Sequence, residues 1–255
     1  MLRKDLKKNM SLTSGSVDPA EITKFNKFAD EWWKPDGAFK TVHAFNKARV
    51  EHILNRIPVL FQNNPNTPKP LSGLKIIDVG CGAGIVTEPL SNHGADILGI
   101  DAAERNIEVA KRHTHQSGAS ARYLHALPED CVEKFGTFDV VLSLEVVEHV
   151  ANIEEFLQSL TDLVRPGGLL IIGTLNRTLR SYLKAIIGAE YVLGWLPRGT
   201  HDWRKFVTPT ELDDHLGQRG FSIKEHCGVA LNPLTMRWNI NNDLSTNYLQ
   251  FHCKG

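Results

Sequence analysis

Three groups of residues in this chain have the types and the spacing to do chemistry. The first is a glycine loop, DVGCGAG from Asp78 to Gly84, which follows an apolar run from Leu74 to Val79. A strand that ends in glycines and opens a helix directs backbone N–H groups at a ligand. Gly80, Gly82 and Gly84 are spaced G-x-G-x-G, one residue short of the dinucleotide fingerprint. A pyrophosphate needs the longer loop, with the helix start beneath it. The tighter loop suits a ligand lying flat across it, such as an amino-acid-bearing nucleoside. Any tight strand-to-helix turn can use glycines, so the loop alone does not decide. The second is Asp101, which ends ADILGID about 20 residues beyond the loop, where a carboxylate accepts hydrogen bonds from ribose hydroxyls. A strand-end aspartate can also cap the helix that follows. With loop, strand and acid in register, nucleoside binding is the better reading. The third is LEVVEHV, with Glu145, Glu148 and His149 at i, i+3 and i+4. If the segment turns helical, these side chains share a face. Two carboxylates and an imidazole could hold a hard divalent ion or move a proton. The bland alternative is an acid and a histidine that line a pocket or cap the next turn.

These residues need elements to position them. Asp18-Pro19 supplies a cap and an N1 proline, and Ile22, Phe25, Phe28 and Trp32 recur at helical spacing. After a break at Pro35-Asp-Gly37, a second helix runs through Phe45, Val50, Ile53 and Leu54. Residues 61–73 are rich in Asn and Pro and read as a linker. Strands are predicted at 74–79, 96–101, 121–124, 138–144 and 168–175, and helices at 85–93, 104–116 and 152–164. Such alternation calls for a parallel sheet with helices on both faces, an α/β doubly wound Rossmann-like fold. A helix over Thr208–Arg219 follows, then strands near 221–227 and 246–253, joined by a turn-rich stretch over 232–243. Two late strands with no helix between them predict an antiparallel edge strand. The layout is a disordered tail, 1–17, before one domain, 18–255: N-terminal helices over 18–60, a nucleoside-binding core over 74–175, an insertion over 176–206 and the rest of the sheet over 207–255.

Composition narrows the function classes. A chain of 255 residues, 42% hydrophobic and 23% charged, has the make-up of a soluble globule with a real core. Lys+Arg and Asp+Glu are both 29, so no global field exists to hold a nucleic acid. Cys81, Cys131, Cys227 and Cys253 are scattered, with no CxxC pair, and read as reduced intracellular thiols. No apolar run reaches the roughly 20 residues of a spanning helix. The opening MLRKDLKKNM is basic, which fits either an organelle-targeting remnant or a frayed terminus. Within 177–206, Arg177, Arg180, Lys184, Arg198, Arg204 and Lys205 flank Tyr182, Ile186, Ile187, Tyr191, Leu193 and Trp195. Basic flanks around aromatics and aliphatics describe a segment lying in a membrane interface, or an amphipathic lid packed on its own domain.

DVGCGAG, GID, FDVVLSLEVVEHV and LVRPGGLLIIGTLNR resemble the successive motifs of class I S-adenosylmethionine-dependent methyltransferases. Outside that core, FADEWWKPDGAFKTVHAFNKARVEHI and GAEYVLGWLPRGTHDWRKFVTPTEL are similar to the ubiquinone biosynthesis O-methyltransferase family. The core motifs are generic to methyltransferases; the flanking ones are specific. The resemblance runs from about Val17 to the end. It implies S-adenosylmethionine as methyl donor, with Arg49 reaching the methionine carboxylate and Gly80 as the first loop glycine. Leu144 would touch the nucleoside, where relatives often carry Met. Ala83 stands where relatives often have a third consecutive glycine. It also implies Mg²⁺ on Glu145, Glu148 and His149, polyprenylated catechols and the related hydroquinone as substrates, and two methylations by one enzyme. The implied setting is peripheral, on the matrix side of the mitochondrial inner membrane or on the bacterial cytoplasmic face, within a multi-enzyme complex. A phenol ionises near pH 10, so a base, a metal or both must favour the phenolate. Glu145 and His149 are candidates for the base, and His201, with Asp202 at the substrate entrance, is another. A nucleic-acid methyltransferase is disfavoured by the zero net charge and the lack of an Asn-Pro-Pro-Tyr-type motif. A nicotinamide dehydrogenase is disfavoured by the loop spacing. A catalytically silent lipid-binding protein on the same fold is disfavoured by the intact loop, Asp101 and acid/His cluster.

Overall fold

The computed structural model describes residues 16–34, 37, 39–182, 202–232 and 234–255. Helix α1 (Pro19–Phe28) starts where Asp18-Pro19 predicts: the Asp18 carboxylate accepts the Ala20 N–H at 3.0 Å, and proline fills the first turn. Helix α2 (Lys40–Leu60) ends where the N-terminal helices were expected to end, at 60, and Pro58 sits near its last turn. The core then alternates, with one short helix, α5 (Cys131–Phe135), that the sequence pattern did not predict: β1 (Lys75–Val79), α3 (Thr87–Asn92), β2 (Asp96–Asp101), α4 (Glu104–Ser117), β3 (Arg122–His125), α5, β4 (Phe138–Leu144), α6 (Ile153–Leu163) and β5 (Val164–Leu175). Helix α7 (Pro209–Gly217) opens with a capping box between Thr208 and Glu211. It is followed by β6 (Phe221–Asn232), β7 (Arg237–Asn241) and β8 (Asn247–Lys254).

The eight strands form one sheet in the order β3-β2-β1-β4-β5-β8-β6-β7. The first five pair in parallel; every pairing beyond β5 is antiparallel. The antiparallel part is therefore larger than an edge strand. β8 is inserted between β5 and β6, and the edge belongs to β7, which lies inside the stretch read as turn-rich.

Side-chain alternation builds two cores, one on each face of the sheet. Ile77, Leu98, Val141 and Leu170 meet Leu157 and Leu160 of α6 and Leu212 and Leu216 of α7. Their neighbours Ile76, Ile97, Val140 and Leu169 face the other way, against Ile53 and Ile57 of α2 and Leu90 of α3. All four cysteines are free thiols, as expected. Two residues of the expected tail are ordered: Ser16 is buried and its carbonyl accepts the Ala151 N–H at 2.8 Å. Among the described residues, no helix is long and apolar enough to cross a membrane. Strand order reverses between β1 and β4, and at such a point the carboxyl ends of the strands leave a crevice.

Candidate active site

A cavity of about 700 Å³ opens at that crevice. It reaches from Asp101 and Gly82, past Arg49 and Glu145, to Val229 and Trp238 of the β6–β7 hairpin, with α1 as a wall. The three loop glycines all have positive φ. A Cβ on Gly80 would sit 2.3 Å from Val146, and one on Gly84 would sit 2.3 Å from the Tyr123 hydroxyl. At these two positions the loop needs glycine because the protein's own side chains crowd it. The expectation of free amides is corrected at four positions. The Gly80 and Cys81 N–H groups donate to the Ile100 carbonyl, at 2.8 and 3.0 Å, and Gly84 donates to Cys81 at 3.0 Å. The Gly82 N–H donates to the Asp101 carboxylate at 2.9 Å.

Asp101 thus joins the two strand tips. Its other oxygen accepts the Ala103 N–H at 2.7 Å and the Asn106 amide at 3.3 Å. Asn106 in turn accepts the Trp32 indole N–H at 3.1 Å, and Trp32 packs over Gly82. Burial raises the Asp101 pKa against these hydrogen bonds. Asp78, inside β1, is 2% exposed and accepts the Thr87 hydroxyl at 2.7 Å. Burial, together with the Asp101 charge, pushes it up to about 6.

Arg49 is 3% exposed and reaches the cavity from α2. Its guanidinium donates to Glu145 at 2.7 Å and to the Asn46 side chain, and lies 4.0 Å over the Phe45 ring. A buried guanidinium flanked by an aromatic ring is a ready partner for a carboxylate. Leu144, at the end of β4, also lines the cavity.

The three expected metal ligands do not converge. Glu145 takes a left-handed conformation (φ 57°), and a 3₁₀ turn over Val147–His149 follows, so the segment has no α-helical face for i, i+3 and i+4 to share. Glu145 holds Arg49. Glu148 turns inward, accepts the Thr174 hydroxyl at 2.9 Å, and is pushed up to about 8 by burial and by the Glu145 charge. His149 meets Glu21 of α1, its Nδ1 lying 2.8 Å from the carboxylate. Among the described residues, only His52, Glu225 and Cys227 bring three such donor atoms within 4.8 Å of one another. There Arg56 already pairs with Glu225, and burial pushes the Cys227 thiol up to about 12, which suits no cation. Neither set of donors fits a Mg²⁺ ion.

A family model described as a methyltransferase domain matches residues 46–226. A ubiquinone biosynthesis O-methyltransferase of Ruegeria pomeroyi is 46% identical over 94% of this chain and 97% of its own length. Proteins of the same name from Cereibacter sphaeroides and Brucella anthropi are 44% and 45% identical, over 94% and 92% of the chain and 97% and 94% of their own lengths. The chain belongs to the ubiquinone biosynthesis O-methyltransferases. It is an S-adenosylmethionine-dependent methyltransferase. Among solved structures, a magnesium protoporphyrin IX methyltransferase from Synechocystis with bound SAH is similar at TM-score 0.66 and 20% identity, over 91% of this chain and 95% of that one. A possible histamine N-methyltransferase of Thermotoga maritima gives 0.62 at 19%, over 92% of this chain and 99% of that one. These two likenesses bear on the fold alone. The relatives are bacterial, and nothing in them supports the mitochondrial setting.

In this methyltransferase the structure brings Gly80, Gly82, Asp101, Arg49, Leu144, Glu145 and His149 to one cavity. Gly84 supports the loop from behind, and Glu148 serves the core. His201, Ile186, Ile187, Tyr191, Leu193 and Trp195 lie outside the described residues. Tyr182 is exposed at 39%, and Asp202 pairs with Arg204. Sequence reasoning missed Asp78, Trp32, Asn106 and Glu21. Asp78 left a signal, a charge inside an apolar strand; Glu21 left none.

Proposed function

We propose that this chain transfers a methyl group from S-adenosylmethionine to a phenolic hydroxyl of polyprenylated catechols, and of the related hydroquinone, in ubiquinone biosynthesis. S-Adenosylmethionine, when bound, supplies an electrophilic methyl group on a sulfonium. One observation carries the reading: a single cavity holds both a nucleoside-type tip, with Asp101 and the loop, and an apolar wall of Phe45, Val229, Leu231 and Trp238. Asp101 would accept the ribose hydroxyls, and Arg49 the methionine carboxylate in exchange for Glu145. The apolar wall would take the hydrocarbon side of a prenylated ring and exclude water. Holding nucleophile and methyl on one axis removes several kcal/mol of barrier.

We also place the enzyme at a membrane surface, peripherally, on the cytoplasmic face of a bacterial inner membrane. The basic and aromatic pattern of 177–206 supports this, because a polyprenyl substrate partitions into lipid. Contact with other enzymes of the pathway belongs to the same reading. The test is methylation of a short-tailed catechol analogue, with product identified by mass; donor binding without product would refute the substrate class. Flotation with anionic and neutral liposomes tests the docking, and protein that stays in the soluble fraction with both refutes it.

A further inference from the structure

Two uncharged residues stand together at the nucleoside end of the cavity. Trp32 follows α1, and Asn106 lies in the first turn of α4; both line the cavity beside Asp101 and Gly82. They are 74 residues apart in the chain, and the Trp32 indole N–H donates to the Asn106 side-chain oxygen at 3.1 Å. The Asn106 side-chain nitrogen donates in turn to Asp101 at 3.3 Å. The two ends fix the direction of this relay. An indole N–H can only donate, and Asp101 is an acceptor, since it also takes the Gly82 and Ala103 N–H groups. The amide oxygen therefore faces Trp32, and the NH₂ group faces Asp101. An amide NH₂ carries two hydrogens, so a second donor stands beside the carboxylate. Asn106 is 2% exposed, so its amide depends on these partners rather than on bulk water.

The indole is itself held in place. It stacks on Phe39, with centroids 4.1 Å apart and planes 11° from parallel, and packs over Gly82. Beside it, the Trp33 indole N–H donates to the Ala83 carbonyl at 2.9 Å, and the Trp33 ring stacks on His113 of α4 at 3.5 Å between centroids. The tryptophan pair thus ties the segment after α1 to the glycine loop and to α4.

We propose that Asn106 is a binding residue for the ribose of the methyl donor and that Trp32 is its positioning residue. This rests on the reading of Asp101 as the ribose acceptor. A hydroxyl both donates and accepts. Asp101 takes the hydroxyl hydrogen, and the Asn106 NH₂ gives a hydrogen to the hydroxyl oxygen. A carboxylate alone holds any donor group, whereas an acceptor beside a donor is matched to a hydroxyl. Trp32 acts through the amide. An amide turned the other way would set its oxygen against the carboxylate and offer the ribose no donor.

The experiment measures binding of S-adenosylhomocysteine, the spent donor, and of its 2′,3′-dideoxy analogue to the full chain by titration calorimetry. The proteins are the wild type, N106A, W32F and the W32F/N106A double variant. Phenylalanine keeps an aromatic ring over Gly82 but has no N–H. Thermal unfolding without ligand reports whether each variant folds. We expect N106A to bind S-adenosylhomocysteine about tenfold more weakly and W32F about threefold more weakly, as the loss of one hydrogen bond in each case implies. The two losses should not multiply: the double variant should match N106A, because Trp32 acts through the amide. On the dideoxy analogue all three variants should stay within about twofold of the wild type, since the hydroxyls that Asn106 meets are gone. A loss of the same size on both ligands overturns the proposal, because general loosening of the loop gives that result. Unchanged binding of S-adenosylhomocysteine by N106A or by W32F overturns it, and so do losses that multiply in the double variant. If N106A does not fold, W32F answers alone through the same two ligands. A wild type that binds both ligands equally refutes the ribose reading and this proposal together; a wild type that prefers the ribose form, with that preference intact in N106A, refutes this proposal alone.

Discussion

Replacing Asp78 with asparagine is expected to make the cofactor-free protein more stable at neutral pH. Asp78 is 2% exposed within β1, and burial lifts its carboxyl from an ordinary 3.8 to about 6. A carboxyl whose pKa is higher in the folded chain than in the unfolded one is a cost once it ionises. That cost is absent below pH 3.8, grows as pH rises, and is complete above about 6. A shift of about two units corresponds to about 3 kcal/mol. The asparagine side chain keeps an oxygen to accept the Thr87 hydroxyl but brings an N–H₂ group that needs a partner, a loss of about 1 kcal/mol. The net gain at pH 7 is about 2 kcal/mol. Denaturant unfolding of both proteins at several pH values measures it. The variant should lead at pH 7, and its lead should shrink towards pH 4. A difference that does not change with pH would refute the reasoning, and so would a variant less stable at pH 7. Either result would mean that Arg49 keeps Asp78 ionised at no cost. The same variant should bind the methyl donor more weakly, because Asp78 lines the cavity between Gly80 and Arg49.

Asp101→Ala should weaken donor binding by about tenfold or more, since it removes a charged acceptor from the β2 tip; titration calorimetry checks this, and unchanged affinity removes Asp101 from the site. Gly80→Ala should destabilise the fold by about 2–4 kcal/mol, combining a left-handed alanine with overpacking on Val146. Thermal unfolding of the G80A/V146A double variant should recover part of that loss. Arg49→Leu should cost about 3–5 kcal/mol in unfolding experiments, because it strands Glu145 beside a buried Glu148, and donor binding should fall with it.

Much of the scaffold was legible because its strands announce themselves. β2 and β4 lie at 96–101 and 138–144, as apolar runs between turn signals predict. β7 was hidden because Arg237-Trp-Asn-Ile-Asn241 alternates apolar residues with asparagines, which also read as turn formers. The loop and Asp101 were legible as cavity residues because a strand tip puts its residues at the carboxyl edge of the sheet whatever the rest of the chain does. Glu145, Glu148 and His149 were legible as chemistry but misplaced as geometry. Their spacing has meaning only on an α-helix, and the left-handed Glu145 and the 3₁₀ turn send the three side chains to Arg49, Thr174 and Glu21. Glu21 lies 128 residues from His149, a separation that no local pattern can bridge.

The way α1 is fastened has a consequence for turnover. None of its residues is fully buried, and much of its hold on the core is polar: Asp18 to Lys205, Glu21 to His149, and next door the Ser16 carbonyl to Ala151. An element secured this way detaches locally at low cost. Glu21 travels with it. Any fluctuation that swings this wall aside, to load fresh donor or shed spent thioether, also breaks the Glu21–His149 contact and lets water into the cavity, so exchange and dry containment fall in separate phases of the cycle.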